Sequence, residues 1–178
     1  MNERFIALLF FVTAACAKQE TAQTVAPLPD DASHEGAPAT PTWDVPALDL
    51  PSLTTGRVKR TPGKVTVIVF FATWHEPSKK AFPKLQELVD RYAARGLELF
   101  AISVDEEPTQ VAAFANMNGA RFPVAWDDGM QTAKLWHPNM MPTFFIIDRN
   151  GKNQGHLGGW HDDDKEMLEK HLLPLLAP

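Results

Sequence analysis

The residues most suited to chemistry lie together in one short segment, Trp74-His75-Glu76-Pro77-Ser78. A hydroxyl, an imidazole and a carboxylate are the groups of nucleophilic hydrolysis, with Ser78 as nucleophile, His75 as base and Glu76 as orienting group. Because residues three apart share a helix face, Ser78 and His75 could meet, whereas Glu76 would point elsewhere. The segment also lacks the Gly-x-Ser-x-Gly elbow of many hydrolases. We therefore expect a plainer role for Ser78, as a helix N-terminal residue that satisfies backbone N–H groups.

This segment joins a predicted strand to a predicted helix, which is where chemistry is usually found in α/β folds. Val65 to Phe71 is a near-continuous run of β-branched and aromatic residues and predicts a fully buried strand. Glu76 to about Arg95 carries apolar residues at helical spacing, and Gly96 is a natural stop after it. Pro77 suits the first turn of this helix, whereas Pro83 should kink its interior.

The rest of the chain alternates strands with helices, which predicts a sheet covered on both faces. The further predicted strands are Leu97 to Val104, Phe122 to Trp126, Pro142 to Asp148 and His156 to Trp160. Further helices are predicted from Glu107 with Val111, Phe114 and Met117 inward, over Met130 to Trp136, and from Asp162-Asp163-Asp164 to Pro174. A hairpin turn at Arg149-Asn150-Gly151 makes the sheet mixed. Trp43 to Lys64, punctuated by prolines, predicts two short edge strands.

Composition restricts the classes of function open to the chain. With 178 residues and a net charge of -5, it holds one ordinary domain plus additional segments. It shows no cluster of Lys and Arg of the kind that indicates a nucleic-acid interface, so we expect no nucleic-acid partner. Its single cysteine, Cys16, cannot form an internal disulfide or a zinc site built on several cysteines.

Residues 1–16 have the pattern of a bacterial export signal. Arg4 supplies a positive charge, and the apolar run that follows is too short to span a bilayer. The small residues Ala14-Ala15 directly before Cys16 resemble a lipobox, although Thr13 stands where Leu is usual. This pattern predicts lipidation of Cys16; the alternative is cleavage at a nearby Ala that leaves a free thiol.

The export signal and the composition after it predict three parts of the chain. Residues 17–42 are rich in Ala, Thr and Pro without apolar periodicity, which is typical of a disordered tether. Residues 43–178 form the predicted folded domain. We therefore expect an exported, membrane-anchored lipoprotein that faces the periplasm or the cell exterior.

Four segments of this domain carry a family resemblance, in order along the chain. They are Val67 to Trp74, the helix opening with Pro77, Lys79, Lys80, Phe82 and Pro83, the segment Met141-Pro142-Thr143 with Phe144 to Gly151, and Leu157-Gly158-Gly159. The domain resembles a thioredoxin-fold domain of the TlpA/ResA type. The resemblance implies an α/β thioredoxin fold with a central mixed sheet, helices on both faces and an N-terminal β extension. It also implies a cis peptide before Pro142, and Met141 and Pro142 beside His75.

The resemblance fails at the residues that carry the family's chemistry, a Trp-Cys-x-x-Cys motif. In this sequence His75 and Ser78 stand where the two cysteines belong. Thiol–disulfide exchange needs one thiolate that attacks and a second thiol that resolves, and a helix N-terminus activates a thiol only where one is present. Cys16 is not a substitute, because it lies in the export segment. We therefore expect a thioredoxin-like protein without thiol-redox activity and without a cofactor.

The remaining features predict a binding surface. The family holds an extended peptide beside the cis-proline, so the resemblance implies a groove formed by Trp74, His75, Glu76, Pro77, Met141, Pro142 and Thr143. With the cysteines gone, this groove could bind an envelope protein or peptide through backbone pairing. The plain alternative is that Trp74 and the methionines only pack.

A copper site is the alternative hypothesis for this region. His75, His137, Met140 and Met141 offer imidazole and thioether ligands, which suit copper. None of them has a recognised ligand spacing, and a lone His at a helix N-terminus is more often neutral and hydrogen-bonded. We therefore predict no metal at this site.

Overall fold

The computed structural model describes residues 44–176. The predicted export signal, the lipidation of Cys16, the tether and Trp43 lie outside the described residues. Within residues 44–176, none of the helices has the length and apolar character needed to cross a membrane.

The core of the domain is a five-stranded mixed sheet, as the sequence predicts. Its strands are β3 (Val65–Phe71), β4 (Leu97–Ser103), β5 (Val124–Trp126), β6 (Thr143–Ile147) and β7 (Asn153–Gly158), in the order β5-β4-β3-β6-β7. β3, β4 and β5 are parallel, whereas β6 and β7 run antiparallel to their neighbours. The central strand β3 is buried along its whole length, in agreement with its unbroken run of β-branched and aromatic residues.

Four helices cover the sheet. They are α1 (Glu76–Tyr92), α2 (Val111–Met117), α3 (Gln131–Trp136) and α4 (Asp164–Leu175), and short 3₁₀ turns occupy Ala93–Arg95, Pro108–Gln110 and Asp128–Met130. One face of the sheet packs against α1, α2 and α4, and the other packs against α3. The alternation of side chains along β3 divides the two faces, because Val67 and Val69 join the first cluster while Ile68 and Phe70 join the second.

A separate two-stranded antiparallel sheet forms the predicted N-terminal extension. It consists of β1 (Asp49–Pro51) and β2 (Arg57–Lys59). Leu48 and Val58 from this segment are buried on the same face of the main sheet as α3. The extension therefore covers sheet area that the six-residue α3 leaves open.

Three details of the predicted helices are wrong. Met117 is 80 % exposed rather than inward, because helical geometry places it about 120° around the axis from the buried Val111. The first helix ends at Tyr92, and a 3₁₀ turn leads to Gly96, whose φ of 93° suits glycine. α4 continues past Pro174 to Leu175, and the Leu176 N–H still donates to the Leu172 carbonyl at 3.0 Å. α1 likewise runs through Pro83.

Candidate functional site

The segment Trp74-His75-Glu76-Pro77-Ser78 leaves the carboxyl end of β3 and begins α1. His75 is the residue before the helix, with an extended backbone, and its N–H donates to the Ala72 carbonyl at 3.2 Å. Its own carbonyl accepts from the Ser78 N–H at 3.1 Å, which starts the helix. Pro77 lies in the first turn, where its missing N–H costs nothing. The backbone therefore forms the tight strand–turn–helix connection that the sequence predicts.

Trp74 projects from this turn into solvent. Its side chain is 71 % exposed, and its ring meets the His75 ring edge-on with 5.8 Å between centroids. An indole exposed to this degree leaves a large apolar surface in water, at a cost that burial against a partner would remove. The alternative in which Trp74 only packs into the domain therefore does not describe this structure.

Ser78 and His75 each have a buried polar atom without a hydrogen-bond partner among the described residues. Ser78 is fully buried, and its Oγ has no hydrogen-bond partner among the described residues; the same holds for Nδ1 of His75. The prediction that the Ser78 hydroxyl satisfies backbone N–H groups is therefore wrong. Buried polar groups without partners cost free energy, and they concentrate at places that bind something.

The geometry does not support a hydrolytic triad. Glu76 pairs with Lys79 at 3.2 Å, and both side chains are exposed, so the carboxylate does not orient the imidazole. The Ser78 hydroxyl and the His75 Nδ1 atom also lack a hydrogen bond to each other. A general base must lie within hydrogen-bond reach of the proton it removes.

A buried carboxylate that the sequence pattern did not indicate holds this turn in place. Asp105, 9 % exposed, follows β4 and accepts hydrogen bonds from the Thr73 hydroxyl at 2.9 Å and from the Thr73 N–H at 3.1 Å. The Ser103 hydroxyl also donates to it, and Trp126 Nε1 donates to its backbone carbonyl at 2.8 Å. A carboxylate directly after a buried strand that neighbours β3 was the signal that could have identified it.

The predicted cis peptide lies between Met141 and Pro142. The pairing of Phe70 with Thr143 places this loop at the carboxyl end of β3, the same end as the Trp74 turn. The Pro142 carbonyl accepts from the Gly159 N–H at 2.8 Å. Thr143 is buried and its hydroxyl donates to the Met140 carbonyl at 2.6 Å, so its side chain supports the loop rather than facing a ligand.

The candidate copper ligands lie in different surroundings. Met140 is 49 % exposed and lies against Gly158, where an added Cβ would come within 2.8 Å of its sulfur. Met141 packs against the apolar cluster on the α3 face, and His137 ends α3 with an exposed side chain. Across residues 44–176, no three His, Cys, Asp or Glu side chains are grouped closely enough to hold a metal ion.

Comparison of the sequence with known families assigns this domain to a family. The sequence profile of the AhpC/TSA family matches residues 40–154. This chain belongs to the AhpC/TSA family. Its domain is thioredoxin-like, as the sequence resemblance implies.

Curated relatives of this AhpC/TSA chain are thiol-disulfide oxidoreductases named ResA. The ResA of Bacillus anthracis is 35 % identical over 115 residues, which span 65 % of each chain. The ResA of Geobacillus kaustophilus is 33 % identical over 110 residues, which span 62 % of each chain. The match thus covers less than two thirds of the length of these relatives.

Solved structures share the fold of this chain. A protein from Chlorobium tepidum, described as a thiol:disulfide interchange protein DsbE, matches with a TM-score of 0.71 and 34 % identity, over 75 % of this chain and 96 % of its own. StoA from Bacillus subtilis matches with a TM-score of 0.60 and 21 % identity, over 76 % of this chain and 99 % of its own. The second match supports the fold alone.

Proposed function

We propose that this chain is an exported, lipid-anchored thioredoxin-like protein that binds an extended segment of an envelope protein or peptide, without thiol-redox activity. The observation that carries the proposal is the identity of His75 and Ser78 at the turn where thioredoxin-like proteins of the TlpA/ResA type, which the sequence resembles, have their two cysteines. The chain has one cysteine, Cys16, which lies outside the described residues 44–176. Without an attacking and a resolving thiol at this turn, the domain cannot form and resolve a mixed disulfide. It therefore cannot supply the two electrons that reduce a disulfide.

The binding part of the proposal is supported by the surface that remains. Trp74 offers a large exposed indole, and Met140 adds exposed apolar surface on the loop before Pro142. Aromatic and Met side chains are enriched where proteins bind partners, and an extended segment can pair with an irregular backbone edge beside a cis-proline. His75 and Pro77, both half-buried, and the exposed Glu76 border the indole on the helix side.

The redox part is tested by insulin reduction with dithiothreitol, using the full-length chain. We expect turnover no greater than that of a heat-denatured sample, because no thiol pair is available at the α1 N-terminus. Turnover clearly above that control would contradict the proposal, whatever the protein binds.

The binding part is tested by pull-down from the envelope fraction of the source cells. We expect a partner to be retained by the wild type and lost with Trp74→Ala, since removing a central exposed aromatic typically costs about 2 kcal/mol or more at an interface. Met117→Ala is the matched control, because Met117 is 80 % exposed but lies at the far end of α2. Equal retention by wild type and Trp74→Ala would reject the groove as the binding surface.

A further inference from the structure

The end of the sheet that presents Trp74 also gathers exposed carboxylates. β4 and β5 end beside β3, since Phe71 pairs with Ser103 and Ser103 pairs with Trp126, and β7 ends there too, since Thr143 pairs with Gly158. The segments that follow these strands therefore surround the Trp74 turn. Their exposed carboxylates, together with the one at the start of α1, are Glu76, Glu106, Glu107, Asp128, Asp162 and Asp163. We call these six residues the acidic rim.

Few cations balance the acidic rim. The exposed lysines nearest the starts of α1 and α3 are Lys79, Lys80 and Lys134, of which Lys79 is paired, with Glu76. Lys84, further along α1, and Lys165, in the first turn of α4, both pair with Glu87. Among residues 44–176, the other five rim carboxylates form no ion pair. Three buried carboxylates at this end, those of Asp105, Asp127 and Asp164, receive hydroxyl, backbone or His161 contacts but no Lys or Arg. The electrostatic potential around Trp74 is therefore negative.

Helix dipoles explain only part of this charge. Asp127 caps α3 through the N–H groups of Thr132 and Ala133, and Asp164 lies in the first turn of α4. Of the rim residues, Glu76 and Asp128 lie in first turns, and Glu107 and Asp163 directly precede helical turns, so helix dipoles favour these four. Glu106 and Asp162 lie outside the helical turns. Exposed charges in such positions contribute little to stability and are available to a partner.

We propose that the segment held at this site is basic, an extended stretch of another protein that carries Lys or Arg beside apolar residues. The inference rests on the binding function proposed above and names the chemistry of its partner. A Lys ammonium or an Arg guanidinium bound near Trp74 lies over an exposed indole face and between rim carboxylates, so cation–π and ionic attraction act on the same group. The unpartnered Oγ of the buried Ser78 and Nδ1 of His75 lie at this turn and offer polar partners to a ligand that reaches them.

The protein's own segments fit this site less well. Residues 17–42 contain Lys18 against Glu20, Asp30, Asp31 and Glu35, so they carry the same sign of charge as the rim. The opposite end of the sheet exposes Lys64, Arg95 and Arg149. A second copy that docked head to tail through this basic end is therefore the competing occupant, and the experiment must separate it from a basic peptide.

The test measures the affinity of the full-length chain for three labelled peptides by fluorescence anisotropy. The peptides alternate Val with Lys, Gln or Glu, so that they differ only in charge. We expect the Lys peptide to bind at least about fivefold more tightly than the Glu peptide at about 0.01 M salt. This preference should vanish near 1 M salt, where the screening length falls from about 30 Å to about 3 Å.

Two pairs of rim substitutions locate the effect. Glu106→Gln with Glu107→Gln, and Asp162→Asn with Asp163→Asn, should each lower affinity for the Lys peptide about threefold or more. The control Asp49→Asn with Asp90→Asn removes the same net charge on β1 and near the end of α1, and should leave the affinity unchanged. Circular dichroism checks that each variant is folded. The comparison of the three peptides on the wild type tests the charge preference even if a variant does not fold.

The outcomes separate this inference from the binding function beneath it. If Trp74→Ala weakens all three peptides but the wild type shows no charge preference, the groove binds and the basic-segment proposal is wrong. If Trp74→Ala weakens none of them, the binding function itself fails. If sedimentation velocity shows a dimer that the rim substitutions dissociate and the peptides do not bind, the occupant is a second copy and the proposal is overturned.

Discussion

Ser78 and Ser103 are both fully buried serines beside the same turn, yet only one hydroxyl has a partner. Ser103 Oγ donates to the Asp105 carboxylate and accepts from the Asp105 N–H at 3.1 Å, whereas Ser78 Oγ has no partner among residues 44–176. Burial of an unpaired hydroxyl costs about 1–3 kcal/mol, while a paired one contributes to stability. The two residues therefore form a natural pair for measuring what the unpaired hydroxyl costs.

We predict that Ser78→Ala raises the free energy of unfolding by about 1 kcal/mol, because it removes a buried group that bonds to nothing. Ser103→Ala should lower it by about 1–3 kcal/mol, because Asp105 loses a donor. Urea denaturation of both variants measures the two changes. A loss of stability in Ser78→Ala as large as that in Ser103→Ala would mean that the Ser78 hydroxyl has a partner in solution.

We also predict that His75→Cys combined with Ser78→Cys creates measurable insulin-reducing activity. The turn, the N-terminus of α1 and the cis-proline loop are already in place, and a helix N-terminus lowers the pKa of a thiol. Ser78→Cys alone is the control, because it provides no second thiol to resolve a mixed disulfide. A folded double variant that neither oxidises nor reduces its thiols would show that these positions do not correspond to the family's cysteine pair.

At the scale of secondary-structure elements, hydrogen bonds to one side chain connect the segments that follow β3 and β4. Asp105 follows β4 and accepts from both donors of Thr73, the residue before Trp74. A carboxylate with several hydrogen bonds in a buried position restricts the backbone that it contacts. Asp105 therefore positions the turn that presents Trp74, although it lies 31 residues further along the chain.

We predict that Asp105→Asn lowers the free energy of unfolding by about 2 kcal/mol, because an amide cannot accept from all three donors. It should also raise the rate of amide hydrogen exchange at Thr73 and Trp74 more than at residues in α4. Asp128→Asn is the control, because Asp128 is exposed at the same end of the sheet. Unchanged exchange at Thr73 in Asp105→Asn would show that the carboxylate does not hold the turn.

At the scale of the whole molecule, the chain enters the folded domain at the end of the sheet opposite to Trp74. Asp44 forms a bridge with Lys152 in the hairpin between β6 and β7, and their side chains pair at 2.7 Å. This hairpin follows the carboxyl end of β6, which runs antiparallel to β3, so it lies away from the Trp74 turn. Asp44, the first described residue, therefore lies at the end of the sheet away from the Trp74 turn.

We predict that Cys16→Ser abolishes palmitate labelling and moves the protein from the membrane fraction to the soluble fraction of the cell envelope. In the proposed function the acyl chains on Cys16 supply the membrane affinity, because each buried CH₂ of a lipid adds about 0.8 kcal/mol to membrane binding. Met117→Ser, at an exposed position of the domain, is the control and should change neither result. Labelling that persists in Cys16→Ser would show that the lipobox assignment is wrong.

The sequence by itself determined the buried strands, the order of elements and the absence of a thiol pair from the domain. The unbroken run of β-branched and aromatic residues in β3 and the single cysteine are local facts, which need no knowledge of what packs against them. The identity of His75 and Ser78 is likewise a local fact, and its meaning came from the family resemblance.

Only the tertiary structure decided how the segment around Trp74 is held and surrounded. The unpaired Ser78 hydroxyl, the bonds from Asp105 to Thr73 and the outward direction of Met117 depend on packing between residues distant in sequence. The acidic rim is the clearest case, because its carboxylates follow β4, β5 and β7 and meet only where the sheet brings these strand ends together. Hydrophobic periodicity reports which side chains are buried, but the neighbours of each polar group are set by the register of the sheet.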